Sequence, residues 1–460
     1  MAGYSEDTIA AVATASGPAA IAIVRLSGRS AFVVAQQMLA ARKAGRTIDF
    51  APSHRARRGV LRSPEDGTPI DDVLFLPMHA DQSPTGEDVV EIHCHGGSLL
   101  TRRALAAALA AGARAARPGE FTERAFLNGR LDLCQAEAVA DLAQANSEAG
   151  LKAAWRLLEG NLSRKVTTQR DALLDIRALL EAHLDFPDDE IPPETGAELA
   201  AGLREAAEEL DRLAASFQRG RLARDGVRIA LVGKPNVGKS SLMNALLGRD
   251  RALVSESAGT TRDYLEEPLA LGDLQALLFD TAGVREATDP LEKAGVERSH
   301  QQIQAADLLL LVADGSKALT EQDHSVWQEL PQDKCLLVRN KCDRQLVWSA
   351  DALGAPRMVT VSATKGRGLD ELCRSALEML AWPEENEGEA VLVTRERHRA
   401  ALRDAGKAAL AGKALLEGKQ GLDLVACELQ TATAALDALV GISSPEDVLD
   451  RIFAKFCIGK

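Results

Sequence analysis

The sequence predicts a mixed chain, α/β plus all-α, with an N-terminal α/β domain over residues 1–119. A helical domain in two segments (120–217 and 390–460) follows, with a second α/β domain and its linker (218–389) inserted between them. Three observations predict this. Short apolar strands ending at turn signals mark the N-terminal region: Ile21–Val24 before Ser27-Gly28, and Val89–His93 before Gly96-Gly97. Near-continuous helical texture runs from Glu120 to Phe217 and returns from Arg395 to Phe456. Between them, from Val227 to about Pro383, strands alternate with helices, the rhythm of a mainly parallel sheet with crossover helices.

Within the first region an alanine-rich helix is expected over Leu99–Ala116, closed by Pro118-Gly119. In the helical segments, breaks are expected at Asp185-Phe186-Pro187 and Ile191-Pro192-Pro193. Leu173, Ile176, Leu179, Leu180 and Leu184 fall at three- and four-residue spacings and predict one apolar stripe, and residues 424–440 predict another. Both are expected to serve as helix-packing core. The polar run Glu384–Glu389 reads as a linker, and insertion of a whole domain is structurally cheap because its termini often lie close together.

At 460 residues the chain is too long for one ordinary core. Apolar residues make up 46% and charged residues 26%, a globular composition, and only 3% are aromatic, so long helices packed through small side chains are expected. The formal net charge of −13 excludes a protein that coats nucleic acid through a general basic surface. Residues 1–130 carry 15 Lys+Arg against 13 Asp+Glu, so the remaining 330 residues carry about −15, and any polynucleotide contact must be local or shared with a partner. Arg102-Arg103 and Arg55-Ala56-Arg57-Arg58 read as solvated charges. Seven scattered cysteines with no C-x-x-C pair fit reduced thiols. Glu6 and Asp7 stand where a signal peptide needs positive charge, and no run of about twenty apolar residues exists. The expected location is cytoplasmic.

Gly233-Lys234-Pro235-Asn236-Val237-Gly238-Lys239-Ser240 matches G-x-x-x-x-G-K-[ST], directly after a strand and before an apolar helix. Glycines at these places let backbone N–H groups turn inward around a phosphate, and the helix N-terminus adds its dipole. Lys239 is placed to reach the β- and γ-phosphates and Ser240 to ligate Mg²⁺; Val237, Gly238 and Ser241 belong to the same cradle. Asp280-Thr281-Ala282-Gly283 follows the strand Ala276–Phe279, so Asp280 is placed to hold Mg²⁺ through water while the Gly283 N–H meets the γ-phosphate. Asn340-Lys341-Cys342-Asp343 follows Leu336–Val338. A carboxylate at Asp343 can accept the N1–H and N2–H₂ of guanine, which adenine does not offer. Asn340 ties the base-reading loops together, the Lys341 stem covers the ring face, and in Ser362-Ala363-Thr364 the Ala363 N–H reads the guanine O6. Together these predict a Ras-like P-loop GTPase domain that binds GTP.

A switch loop must add a hydroxyl to Mg²⁺, and within Ser255-Glu256-Ser257-Ala258-Gly259-Thr260-Thr261 that role falls to Thr261. The position after Asp-Thr-Ala-Gly is Val284, so the water-orienting glutamine of Ras-type enzymes is missing. Asn236 with Ser255, Ser257 and Thr260 forms an oxygen-rich set suited to a monovalent cation, which could replace an arginine finger. Glu286, Asp289 and Glu292 are candidate water-orienting carboxylates.

The whole chain resembles the tRNA-uridine-modifying GTPase family (MnmE/TrmE). The carrying residues are Val24-Arg25-Leu26-Ser27-Gly28, Thr85-Gly86-Glu87-Asp88, Gly96-Gly97, the run Arg117-Pro118-Gly119-Glu120-Phe121-Thr122-Glu123-Arg124-Ala125-Phe126-Leu127-Asn128, and Leu131-Asp132-Leu133. Asp185-Phe186-Pro187-Asp188, Asp280–Glu286 and the terminal Phe456-Cys457-Ile458-Gly459-Lys460 complete the set. The resemblance implies an N-terminal folate-binding and dimerisation domain, a discontinuous helical domain, and a constitutive homodimer. It implies an FAD-dependent partner protein, in a heterotetramer or larger complex that shares the tRNA. It further implies transfer of a one-carbon unit from a tetrahydrofolate (5-formyl- or methylene-) to build an aminomethyl or carboxymethylaminomethyl group on C5 of the wobble uridine. GTP hydrolysis that is potassium-stimulated and accompanies G-domain dimerisation is implied as well. By motif position, Arg25, Glu91, Arg130 and Lys460 would contact folate; Asn236, Ser255, Ser257 and Thr260 would surround K⁺; Ser240 and Thr261 would bind Mg²⁺. Glu292 matches the family's water-orienting glutamate, and Cys457 its C-terminal cysteine.

Blander readings stand beside these. His93-Cys94-His95 on a strand puts both histidines on one face with Cys94 turned away, which is no metal cluster. Cys457 sits fourth from the end, yet Gly459 and Lys460 suit a lipidation box poorly; the plain reading buries its thiol beside a pocket. Two other functions compete. A GTP-switched ribosome-assembly factor would share the phosphate loop but needs an RNA-binding or second GTPase domain, for which no segment is evident. A folate-binding scaffold with a vestigial GTPase conflicts with the intact phosphate, Mg²⁺ and base elements.

Overall fold

A computed structural model of the chain describes residues 7–15, 17–42, 47–185, 193–250, 266–280, 301–383, 391–443 and 445–459. The chain divides into two compact units. One comprises Met1–Gln144, Trp155–Asp211 and Ala400–Lys460; the other comprises Ala145–Ala154 and Arg212–Arg399.

The first unit holds a seven-stranded sheet of β1 (Ile9–Val12), β2 (Ile21–Ser27), β3 (Leu39–Ala40), β4 (Arg57–Arg62), β5 (Pro69–Met78), β6 (Val89–His95) and β7 (Arg114–Ala115). Its order is β3-β4-β5-β6-β2-β1-β7, antiparallel throughout except for the β1–β7 pair. Period-two alternation explains its single core: Ala22, Val24 and Leu26 of β2 are buried with Val90, Ile92 and Cys94 of β6. Helices Ala31–Met38 and Ser98–Ala110 cover that face through Val34, Met38, Ala104 and Ala108.

The second of these helices ends earlier than its alanine content suggests, and residues 114–115 pair with β1 as a strand instead. The reason is Gly112, whose φ of +105° admits the turn. Its N–H donates to Leu109 O at 3.1 Å while Ala113 N–H reaches back to Ala108 O at 3.1 Å, a Schellman closure that alanine propensity cannot override.

The run from Arg117 to Leu127 builds a buried ionic knot. Gly119 takes φ +69°, and a Cβ there would lie 2.7 Å from Phe453 O. Helix Glu120–Leu127 then carries Arg124, a side chain only 2% exposed, into a ring of acids. Arg124 Nη1 donates to Glu87 Oε2 at 3.0 Å, and Nη2 to Asp7 Oδ1 at 2.7 Å and Glu120 Oε1 at 3.2 Å. Arg114 binds Glu120 and Asp7 from the other side. Burial of Glu120 raises its carboxyl, but the donors from Arg114 and Arg117 outweigh it and the net shift is downward. Removing one partner of a buried ion pair strands the others. Arg124→Leu is therefore expected to lower unfolding stability by about 3–5 kcal/mol, read as a fall in urea midpoint, with Arg124→Lys restoring only part. An unchanged midpoint would reduce the knot to decoration.

Helices Leu133–Gln144, Asn161–Asp185, Glu396–Glu417, Leu422–Val440 and Glu446–Phe453 belong wholly to this unit or run into it. Asn161–Asp185 packs against Leu422–Val440, with Arg170 paired to Asp437 across the contact. Leu162, Val166, Leu173 and Leu180 are buried on one side, and Val425, Leu429, Leu436 and Leu439 on the other. The expected stripe is thus narrower than its spacing: Leu179 and Leu184 are 39% and 40% exposed, because Leu180 takes the inward position. At the other stripe, Leu424 is likewise exposed while Val425 faces in.

The second unit holds a six-stranded sheet: β8 (Val227–Val232), β9 (Glu266–Leu271), β10 (Leu274–Asp280), β11 (Leu308–Asp314), β12 (Cys335–Asn340) and β13 (Met358–Thr360). The order is β13-β12-β11-β8-β10-β9, parallel except for the β9–β10 hairpin, so the mainly parallel sheet predicted from the alternating pattern is present. Apolar clusters cover both faces, which is why β11 reads Leu-Leu-Leu-Leu-Val-Ala and is buried along its length. After β8 the chain first goes to one side and later to the other, so the carboxyl end of β8 lies at a topological switch point, where open parallel sheets bind ligands. One attachment escaped the sequence reading: Ala149 N–H donates to Asp273 O at 3.0 Å, placing 145–154 with this unit.

Candidate functional site

The phosphate loop leaves β8 at Gly233, whose φ is +144° and whose added Cβ would lie 2.3 Å from Val312 O. Gly238 has φ +103°, and a Cβ there would meet Asn340 Nδ2 at 2.3 Å. Both positions demand glycine. Asn236 between them takes φ +63°, which asparagine tolerates. Helix Lys239–Asp250 begins at the loop's end, so its first N–H groups and dipole point into the cradle.

Lys239 is buried, and its ammonium donates to Gly233 O at 2.9 Å and Lys234 O at 3.3 Å, folded over the loop it would share with a phosphate. Ser240 Oγ–H donates to Asp280 Oδ2 at 3.3 Å, joining two predicted metal-site residues from different elements. The register of β10 on β8, Asp280 opposite Leu231, brings them together. Asp280 Oδ1 is buried without a hydrogen-bond partner among the described residues; Lys239 Nζ stands 3.9 Å away. Burial raises the Asp280 carboxyl above its usual range, against the opposing pull of Lys239 and Ser240. A buried carboxylate oxygen left unsatisfied beside a serine hydroxyl fits a hydrated divalent cation.

Asn340 closes β12 and joins three loops. Its Nδ2 donates to Val237 O at 3.0 Å, and its Oδ1 accepts from Lys341 N at 2.8 Å and Ala363 N at 3.2 Å. Lys341, at φ +66°, sends its ammonium to Asn236 O at 2.9 Å and Asp314 Oδ2 at 2.7 Å. Asp343 is exposed, with Ser362 Oγ–H donating to its Oδ1 at 2.5 Å; that hydrogen bond lowers the carboxyl below its ordinary range. Ser362 is itself fully buried, so the acceptor is held from below while its face stays open to solvent.

The structure therefore brings Asn236, Val237, Gly238, Lys239, Ser240, Asp280, Asn340, Lys341, Asp343, Ser362 and Ala363 into one crevice, with Ser241 on the helix behind. Ser255, Glu256, Ser257, Ala258, Gly259, Thr260, Thr261, Thr281, Ala282, Gly283, Glu286, Asp289 and Glu292 lie outside the described residues. Two contributors were not foreseen. Lys234 Nζ reaches Thr320 Oγ1 and Asp323 Oδ2 at 2.7 and 2.5 Å, tying the phosphate loop to the capping box of helix Glu321–Glu329. Asp314 anchors Lys341.

In the first unit a cavity of about 280 Å³ is lined by Arg25, Thr85, Phe121, Thr122, Leu131 and Gly459, among others. Arg25 Nε donates to Glu91 Oε1 at 2.9 Å and Nη1 to Gly459 O at 3.3 Å, and its guanidinium sits 5.6 Å from the Phe121 ring centre. Arg25, Glu91 and the C-terminal tail thus meet, and Lys460 lies outside the described residues. Arg130 goes elsewhere: it donates to Ala80 O at 2.7 Å and is not among the lining residues. Cys457 is exposed, contrary to the buried thiol expected, because Phe456 takes the inward position after the last helix. His93 lies 3.5 Å from Glu91 and His95 2.8 Å from Asp71, while Cys94 is buried. No helix among the described residues is long and apolar enough to cross a membrane.

Sheet order, phosphate loop and base-reading loops define a P-loop GTPase. Family models described as the MnmE helical domain and the GTP-binding protein TrmE N-terminus match residues 133–457 and 8–130. The tRNA modification GTPase MnmE of Moorella thermoacetica is 45% identical, with 99% of this chain and 100% of that protein covered. The same protein of Geobacter sulfurreducens is 43% identical over 99% of this chain and 100% of its own length. Among solved structures, an Aquifex aeolicus Era bound to GDP and aluminium fluoride is 30% identical, covering 40% of this chain and 66% of that one at a TM-score of 0.28. The chain belongs to the MnmE family of tRNA modification GTPases.

Proposed function

We propose that this GTP hydrolase drives modification of the wobble uridine of certain tRNAs, with an FAD-dependent partner and a tetrahydrofolate one-carbon donor (5-formyl- or methylene-). The proposal includes a three-part chain (1–119; 120–217 with 390–460; 218–389), a homodimer, assembly with the partner into a heterotetramer or larger complex, and a cytoplasmic location. The observation that carries it is the presence, in one chain that matches its relatives over their whole length, of both the nucleotide crevice and the Arg25 cavity. The cavity's guanidinium, held by the Glu91 carboxylate beside it, and its aromatic ring suit a flat, polar heterocycle with an anionic tail. In this reading Glu91 is the acceptor, Arg25 the cation and Lys460 a further cation of that site, while Arg130, bonded to Ala80 O, is left out of it. No feature of the described residues favours the ribosome-assembly reading, and the relatives above carry the tRNA-modification name over their whole length.

In the nucleotide crevice, hydrolysis converts GTP and water into GDP and inorganic phosphate. Lys239 and the backbone N–H groups of Gly238 and Ser240 offset negative charge on the β- and γ-phosphates. Ser240 and Thr261 would hold Mg²⁺ directly and Asp280 through water; the bound ion supplies charge neutralisation. Asn236, Ser255, Ser257 and Thr260 would hold K⁺, a donor set of hydroxyl and amide oxygens suited to a monovalent cation. Glu292 orients the attacking water in place of the glutamine that Val284 replaces.

Three experiments test this. GTP turnover in KCl should exceed that in NaCl at equal ionic strength, and equal rates would remove the cation from the mechanism. Glu292→Ala is expected to cut turnover about 100-fold while GTP affinity stays within about twofold. Nucleoside analysis of tRNA from cells lacking the protein should show the wobble uridine unmodified; unchanged nucleosides would overturn the substrate assignment.

A further inference from the structure

We propose that Asp314 is a positioning residue for the guanine nucleotide, acting through Lys341. The proposal rests on the reading given above that the Lys341 stem covers the base. Asp314 is the last residue of β11, and the parallel register sets it opposite Asn340, the last residue of β12. Two strand ends therefore present a carboxylate and the Asn340-Lys341 pair side by side. The site is built: Asp314 is only 8% exposed, and both oxygens are engaged. Oδ1 accepts from Ser316 N at 3.0 Å and Ser316 Oγ at 2.7 Å, which fixes the carboxyl plane, and Oδ2 accepts from Lys341 Nζ at 2.7 Å. Its own carbonyl accepts from Trp348 Nε1 at 3.0 Å, so the backbone is held too. Burial pushes the carboxyl up, but the donors from Lys341 and Ser316 outweigh it, so the group is held below its ordinary range and stays charged.

A lysine stem has four rotatable bonds, and lying flat along a base site costs conformational freedom unless its end is pinned. Here the ammonium is pinned twice, by Asp314 and by Asn236 O in the phosphate loop at 2.9 Å. Asp314 so pre-organises the base-covering stem and, through the same ammonium, links the base-reading loop to the phosphate loop. Lower ordering cost appears as tighter nucleotide binding.

The test is a double-mutant cycle on the full-length chain, with fluorescent methylanthraniloyl-GDP as probe. Asp314→Asn keeps an oxygen for Ser316 and nearly the same volume while turning a donor toward Lys341. It is expected to weaken affinity about tenfold, the usual scale for a charge-assisted hydrogen bond. Lys341→Ala should weaken it at least as much, and the double variant no further than Lys341→Ala alone. In steady state, Asp314→Asn should raise KM for GTP by a larger factor than it lowers kcat. Several results overturn the proposal. If Asp314→Asn binds within about twofold of the native chain while Lys341→Ala is weakened, Asp314 positions nothing and the reading of Lys341 stands. If the two losses multiply, Asp314 acts independently of Lys341. If Lys341→Ala itself binds normally, the base-covering reading fails and takes the proposal with it. A melting-temperature drop in Asp314→Asn with kcat and KM changed in equal proportion would assign the residue a structural role alone.

Discussion

Lys239→Ala is expected to lower GTP turnover at saturating nucleotide by about 10³-fold, the upper end of what losing a single transition-state donor costs. The geometry explains why no neighbour replaces it. Lys239 opens its helix and is buried, with its ammonium already drawn over the loop by Gly233 O and Lys234 O. The other loop lysine, Lys234, is committed away from the phosphates to Thr320 and Asp323. Among the described residues Lys239 is also the cation nearest Asp280 Oδ1, at 3.9 Å, so its removal strips positive charge from the carboxylate proposed for the metal site as well. Both losses act on charge that develops as the terminal phosphate departs, so kcat should fall by a larger factor than GDP affinity. Single-turnover hydrolysis beside a melting curve separates this from misfolding. Turnover within about tenfold of native would move the catalytic charge to another residue.

The parts of the molecule legible in the sequence are those where local pattern and fold agree. A strand followed by glycines at fixed spacing made the phosphate loop legible, since Gly233 and Gly238 sit at positive φ with no room for a Cβ. Asp280 and Asn340 at strand ends, and Ser362 two residues past one, were legible for the same reason: each follows an apolar run whose end must lie at one edge of a parallel sheet. What was not legible depends on which strands become neighbours. Asp314 looks like any acid after a leucine-rich strand until β11 and β12 are in register, and Lys234 like a solvated loop lysine until helix Glu321–Glu329 docks beside it. Alanine misled the reading at 99–116, because propensity is silent about where a glycine in the left-handed region will close the helix. The Arg124 knot was visible only as motif letters; its acids come from Asp7, Glu87 and Glu120, three separate parts of the chain.

Asp343→Asn is expected to invert base preference, lowering the ratio of guanine to xanthine nucleotide affinity by about 10⁴-fold. Ser362 holds the Asp343 carboxylate at 2.5 Å from beneath, and the ionised carboxylate is an acceptor on both oxygens at neutral pH. Guanine presents two donors to that carboxylate, N1–H and N2–H₂. Asparagine retains one acceptor but turns an amide N–H₂ toward the base, so donor faces donor at the exocyclic amine. Xanthine carries a carbonyl at that carbon, which accepts from the new amide. Sites built to pair a specific hydrogen-bonding group reject the mismatched partner strongly because a polar atom is left unpaired once the bound base covers it, which sets the scale of the change. Competition binding of GDP and XDP against a fluorescent nucleotide gives both affinities. Both purines keep the O6 that the Ala363 N–H would read, and both carry the same ribose and phosphates. A shift in their ratio therefore isolates Asp343, and a ratio unchanged from native would place base selection in another residue.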